Sequence, residues 1–102
     1  MKDSIITEFV NFKALETTSV EQLVSKADSL INYQKKLDGY IDSELVKDVK
    51  DNAWQFIYHY ESLEKVKVIG ENLRNSKEFG EFTSLIVPGS ISVTFTQGIK
   101  KW

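Results

Sequence analysis

Few side chains in this chain of 102 residues are equipped for chemistry, and several of them crowd into residues 53–62, AWQFIYHYES. That stretch holds the only histidine, His59, between Tyr58 and Tyr60. A metal site needs several nitrogen, sulfur or oxygen ligands converging on one point. One His, no Cys and no D-x-D-x-D-G run offer no such set, so no metal site is expected. Ser62 lacks the G-x-S-x-G surroundings of an elbow nucleophile, and the sequence places no acid beside His59 for a triad. His59 is therefore expected to be scaffold, bonded to the backbone or to a carboxylate such as Glu61 on its own strand face.

Glu8 is the more reactive prospect. In ITEFVNFK it shares a strand face with Ile6, Val10 and Phe12, so a carboxylate stands where an apolar residue belongs. Desolvating a bare carboxylate costs several kcal/mol, so the group must find a partner or take up a proton. A carboxyl in that position can act as a general base, with Tyr58 and Tyr60 as hydrogen-bonding partners; structurally, it can instead answer a lysine or reach a wet strand end. Trp54, Phe56, Tyr58 and Tyr60 alternate onto one side of their strand. They can form a core or an interface, or wall a pocket that stacks a planar ligand. Asp42 and Glu44 also share a face, but solvated carboxylates explain them as they stand.

These groups must be positioned by short elements. Residues 5–13 are rich in β-branched and aromatic side chains and predict a first strand. Thr18 with Glu21, or Ser19 with Gln22, forms a capping box. A helix of roughly five turns follows, with Leu23, Ala27, Leu30 and Leu37 on its apolar side and Gly39 as its stop. Residues 40–47 and 53–61 predict a hairpin around residues 49–52. Ser62 caps a second helix carrying Val66, Ile69 and Leu73. A short helix over 77–86 ends at Pro88-Gly89, and 90–97 alternates as a last strand. The whole chain, 1–102, thus predicts one α+β domain of ferredoxin-like βαββαβ order with a four-stranded antiparallel sheet.

Composition narrows the partners. A formal net charge of −2 with mixed signs gives no basic field for nucleic acid. No apolar run is long enough to span a bilayer, and no leader pattern follows Met1, so a cytoplasmic protein with no membrane partner is expected. Two helices cover only one face of such a sheet. The aromatic row is too large to leave to solvent, and whether the helices cover it or the half-polar face of Ile57 and His59, a second copy is expected to close on the sheet, giving a homodimeric barrel of two-fold symmetry.

Read together, W-x-F-I-Y-H-Y-E-S, the preceding ITEFVNFK and the following EFTSLIVPGSISV resemble the dimeric α+β barrel superfamily, in particular its antibiotic-biosynthesis-monooxygenase-like branch. Tyr60-Glu61-Ser62 holds the place of that group's aromatic-acid-Ser motif, with Tyr where Trp is usual. The resemblance implies a cavity between sheet and helices, lined by Tyr60 and Phe56. Phe56 lacks the polar amide that the cofactor-free enzymes carry there. It also implies no cofactor: the haem-degrading branch uses a helix histidine where this chain has Gly70. Two functional expectations follow. One is a cofactor-independent monooxygenase-like enzyme acting on a small aromatic or polyketide-like substrate, with Glu8 and Tyr60 catalytic and Trp54, Phe56 and Tyr58 holding the ligand. The other is a non-catalytic dimeric domain that binds a small hydrophobic ligand or serves assembly.

Overall fold

The computed structural model of the chain describes residues 5–102. Strand β1 (Ile6–Lys13) leads into helix α1 (Val20–Gln34), strands β2 (Tyr40–Lys47) and β3 (Ala53–Tyr60), helices α2 (Leu63–Arg74) and α3 (Lys77–Thr83), and strand β4 (Ser92–Gln97). The sheet has four strands in the order β2-β3-β1-β4, every pair antiparallel. This is the expected ferredoxin-like α+β architecture, with α3 as an added turn of cover.

Local chemistry selects the boundaries. Of the two available capping boxes the chain uses Ser19 with Gln22: Gln22 N–H donates to Ser19 Oγ at 3.1 Å, and Ser19 N–H donates to Gln22 Oε1 at 2.8 Å. Both otherwise orphaned amides are thereby satisfied. Helix α1 ends at Gln34 with Lys35 as its cap, shorter than its apolar periodicity predicts, and Leu37 packs from the turn beyond. Gly39 follows at φ +104°, and a Cβ there would lie 2.5 Å from Lys65 Cβ, so only glycine lets this turn approach α2. Its carbonyl accepts from Glu61 N–H at 2.8 Å, which ties the turn before β2 to the junction between β3 and α2. Between β2 and β3, Asp48 accepts from the backbone N–H groups of Lys50 and Asp51, closing the turn with its own side chain.

The helices lie on one face of the sheet. Leu23, Ala27 and Leu30 from α1, Val66 and Ile69 from α2, and Phe82 from α3 pack onto Phe12, Trp54, Phe56, Tyr58 and Tyr60. Each fully buried side chain of this size contributes about 1.5–3 kcal/mol. Phe82 wedges edge-on against Phe12, ring centroids 5.6 Å apart, and lies 5.4 Å from Phe56. The aromatic row is therefore covered by the chain's own helices. These rings need no partner to leave water, and any second copy falls to the half-polar face. Thr7, Phe9 and Asn11 on β1, and Gln55, Ile57 and His59 on β3, occupy the other, uncovered face. Among the described residues no helix is long and apolar enough to cross a membrane.

Candidate active site

Strand β1 is interior to the sheet, and Glu8 stands at its middle, opposite Tyr58 on β3 and Phe95 on β4. This register brings Glu8 onto the helix-covered face with the apolar neighbours that the alternation predicts. Cover is uneven over that face. Helix α1 packs closely, whereas β4 at the sheet edge has no helix lying on it, and Val93 and Phe95 each keep 46 % of their surface exposed. The gap between α2, α3 and the β1–β4 half of the sheet is an open-mouthed cavity of about 470 Å³. Glu8 and Tyr60 lie at its floor, and Val66, Ile69, Leu73, Phe79 and Phe95 wall it. A smaller, more enclosed chamber of about 110 Å³ adjoins it, sharing Glu8, Leu73 and Phe79, and is lined further by Phe56, Tyr58 and Phe82. The larger space falls within the usual range for small-molecule sites, about 300–1,000 Å³.

A chain of hydrogen bonds runs along this floor. Gln34 Nε2 donates to Tyr60 Oη at 2.6 Å, and Tyr60 Oη donates to Glu8 Oε1 at 3.1 Å. Burial holds the Glu8 carboxyl above the usual glutamate range, and the bond from Tyr60 opposes that shift in part. Burial pushes the Tyr58 and Tyr60 hydroxyls well above the usual phenol range, and the negative charge of Glu8 pushes them further. Both phenols thus stay protonated at neutral pH and serve as donors. The one group in the cavity floor suited to accept a proton is Glu8. Its raised value places it closer to the working range of a general base than an exposed glutamate would be.

Of the expected site residues, the structure brings together Glu8, Tyr60, Tyr58 and Phe56. Trp54 stands apart. It lies at the start of β3, where its Nε1 donates to Asn52 Oδ1 at 3.0 Å and Lys47 Nζ sits 5.9 Å from its ring centroid. Neither of the two adjoining spaces has Trp54 in its wall. His59 lies on the opposite face, with Nδ1 2.6 Å from Asp42 Oδ1. Glu61 pairs with Lys65 instead, at 2.9 Å. His59 does have an acid partner, then, but in β2, where only the strand register reveals it. Among the described residues no three His, Cys, Asp or Glu side chains converge as a metal set.

Gln34 was missed from the sequence. The signal was present: 23, 27, 30 and 34 form one helical stripe, and a glutamine ending a stripe of Leu, Ala and Leu needs a buried partner. Gln34 is fully buried, and its Oε1 has no protein partner among the described residues. Its donation to Tyr60 leaves the phenol's single hydrogen for Glu8, which orders the three groups in one direction.

A four-stranded antiparallel sheet with its helices on one face is a ferredoxin-like α+β architecture, and here a partly buried acid lies in the space between the two layers. No protein-family model matches the chain, and no curated protein matches it in sequence. Solved structures do match in shape. A candidate antibiotic biosynthesis monooxygenase from Caulobacter crescentus superposes with a TM-score of 0.75 at 12 % identity, over 96 % of this chain and 92 % of that one. SnoaB, a cofactor-independent oxygenase from Streptomyces nogalater, gives 0.74 at 9 % identity, over 96 % of each chain. Rv0793 from Mycobacterium tuberculosis gives 0.69 at 14 % identity, over 96 % and 98 %. At these identities the likeness is one of fold, and it spans nearly the full length.

Proposed function

We propose that the chain is a cofactor-independent monooxygenase-like enzyme acting on a small aromatic or polyketide-like substrate, with Glu8 as the base. The observation that carries this reading is a partly buried carboxylate, hydrogen-bonded to a buried phenol, at the floor of a cavity large enough for such a molecule. The fold shared with a cofactor-independent oxygenase supports it.

The chemistry balances with dioxygen as oxidant. Glu8 takes a proton from a methylene made acidic by an adjacent carbonyl and arene. The resulting carbanion spreads its charge over the ring system and adds to dioxygen, giving a peroxide anion. Glu8 returns the proton, and loss of water from the hydroperoxide leaves a ketone: R₂CH₂ plus O₂ gives R₂C=O plus H₂O. Tyr60, held protonated, donates to Glu8 while the carboxylate is ionised; once Glu8 has taken the proton and is neutral, that hydrogen can turn to the oxyanion developing on the substrate. The apolar walls keep bulk water away from the carbanion.

Oxygen uptake with a panel of anthrones and related arene-activated methylene compounds, corrected for autoxidation, tests this. Glu8→Gln should lower turnover by about 10²–10⁴-fold, the usual contribution of a general base. Unchanged turnover in Glu8→Gln would overturn the assignment, and absence of turnover across the panel would favour a non-catalytic ligand-binding domain.

Two copies closing on the uncovered sheet face also form part of this reading. Phe9, Val46 and Ile57 are half-buried apolar side chains on that face, interleaved with the Gln55–Asn11 hydrogen bond. Sedimentation at micromolar concentration should give a dimer. The cavity lies within one chain, so a monomer would remove the barrel and leave the site in place.

A further inference from the structure

The rim of the cavity is built differently from its walls. Lys67, Gly70, Glu71 and Arg74 form the ridge of α2 that borders the opening. Gly70 leaves a gap in that ridge, and the Arg74 guanidinium folds back into it: a Cβ added at Gly70 would stand 3.3 Å from Arg74 Nη1. The cation is thus laid along the mouth. No carboxylate lies within ion-pairing distance of Arg74 or Lys67 among the described residues, although Glu71 sits between them on the helix. Two cations and one acid leave this rim a single net positive charge, which matches a monoanion better than a phosphate dianion.

Behind the rim the surfaces turn apolar. Leu73 and Phe79 belong to both spaces, so a molecule entering past Arg74 crosses Glu8 and meets the inner chamber. That chamber, at about 110 Å³, is smaller than a cavity of about 150 Å³ that holds benzene, so it admits at most the edge of a ring or a branched alkyl end.

We propose that the cavity takes an amphipathic organic acid, its carboxylate paired with Arg74 and, more weakly, Lys67, and its flat apolar body lying over Glu8 towards Phe56 and Phe82. This rests on the cavity being the substrate site and narrows the substrate to carboxylate-bearing arenes. A guanidinium suits a planar carboxylate because its parallel N–H groups match both oxygens. Since Arg74 is exposed at the rim, its effect is modest and screened by salt.

Calorimetric titration with 1-naphthylacetate and with its methyl ester tests the proposal on the full chain. At low salt the acid should bind about fivefold more tightly than the ester, the equivalent of an exposed ion pair of about 1 kcal/mol. Arg74→Gln should abolish most of that preference while leaving ester affinity unchanged. Gly70→Ala, which displaces the guanidinium without removing its charge, should reduce it in part. Equal binding of acid and ester by the parent chain, a preference that survives Arg74→Gln, or binding of neither probe would overturn the proposal. Glu8→Gln separates the two readings. If that variant keeps full turnover while Arg74→Gln still loses the acid preference, the catalytic assignment fails and the anion site stands.

Discussion

His59 and Tyr60 are adjacent in the chain, face opposite ways, and each meets an acid. Asp42 lies 2.6 Å from His59, and Glu8 lies 3.1 Å from Tyr60. By distance alone the imidazole pair is the tighter. Its side chains, however, keep 39 % and 67 % of their surface exposed, so water screens the interaction and solvates either partner on its own. Tyr60 is 2 % exposed, and burial raises the pKa of both members of its pair. The same kind of contact is thus a surface ornament on one side of β3 and a candidate proton-handling device on the other. What separates them is the medium, which multiplies or divides the same charges.

Truncating one residue on each face should expose that difference most strongly. Phe56→Ala should cost about 3–5 kcal/mol in urea unfolding, as buried aromatics do, against about 1 kcal/mol for half-buried Ile57→Ala in dilute solution. At concentrations where two copies close on the second face, the Ile57→Ala loss should grow towards that of Phe56→Ala; a loss that stays small at every concentration would count against the closed dimer. Tyr60→Phe should cost about 1–3 kcal/mol, because it strips Glu8 of its donor and leaves Gln34 Nε2 unpaired in the interior. His59→Ala should stay within about 0.5 kcal/mol. A larger loss for His59 than for Tyr60 would reverse the ranking of the two pairs.

The smallest effect is the most diagnostic of medium. Folded Glu8 holds its proton more tightly than the unfolded chain, where the group titrates near 4.5. Below that value both states are protonated and the group is neutral with respect to stability. As pH rises through 4.5 and on to the raised folded value, the folded state is progressively disfavoured, and the loss is complete above it. Glu8→Gln should therefore match the parent in acid and melt at a higher temperature near neutrality. Thermal unfolding across that range checks the sign; a variant less stable at neutral pH would show that the ionised group is welcome where it lies.

Much of this was legible beforehand. Alternation in β1 and β3 singles out Glu8 and the aromatic row, and Ser19 and Ser62 mark two helix starts because hydroxyl caps are a local matter. What the sequence hid depended on partners far along the chain. Periodicity sorts residues 54–60 into two faces without saying which one the helices choose, and that choice leaves the half-polar face, not the aromatic row, for a second copy. The Asp42–His59 pair rests on a register that shifts between Tyr40 and Asp42, an irregularity no local pattern announces. Trp54 has the right parity for the cavity but sits at the hairpin end of its strand, held by Asn52, and parity carries no information about position along the strand.

Strand β1 is made early and sits between β3 and β4, so Glu8 finds its neighbour Phe95 almost at the opposite end of the chain. Pairing over such a separation is slow, because loop closure must be met before any contact rewards it. Until β4 pairs with it, the edge of β1 at Glu8 lies open, so the enclosure that raises this carboxyl's proton affinity is complete only in the fully paired sheet, and that affinity reports on the docking of the last strand.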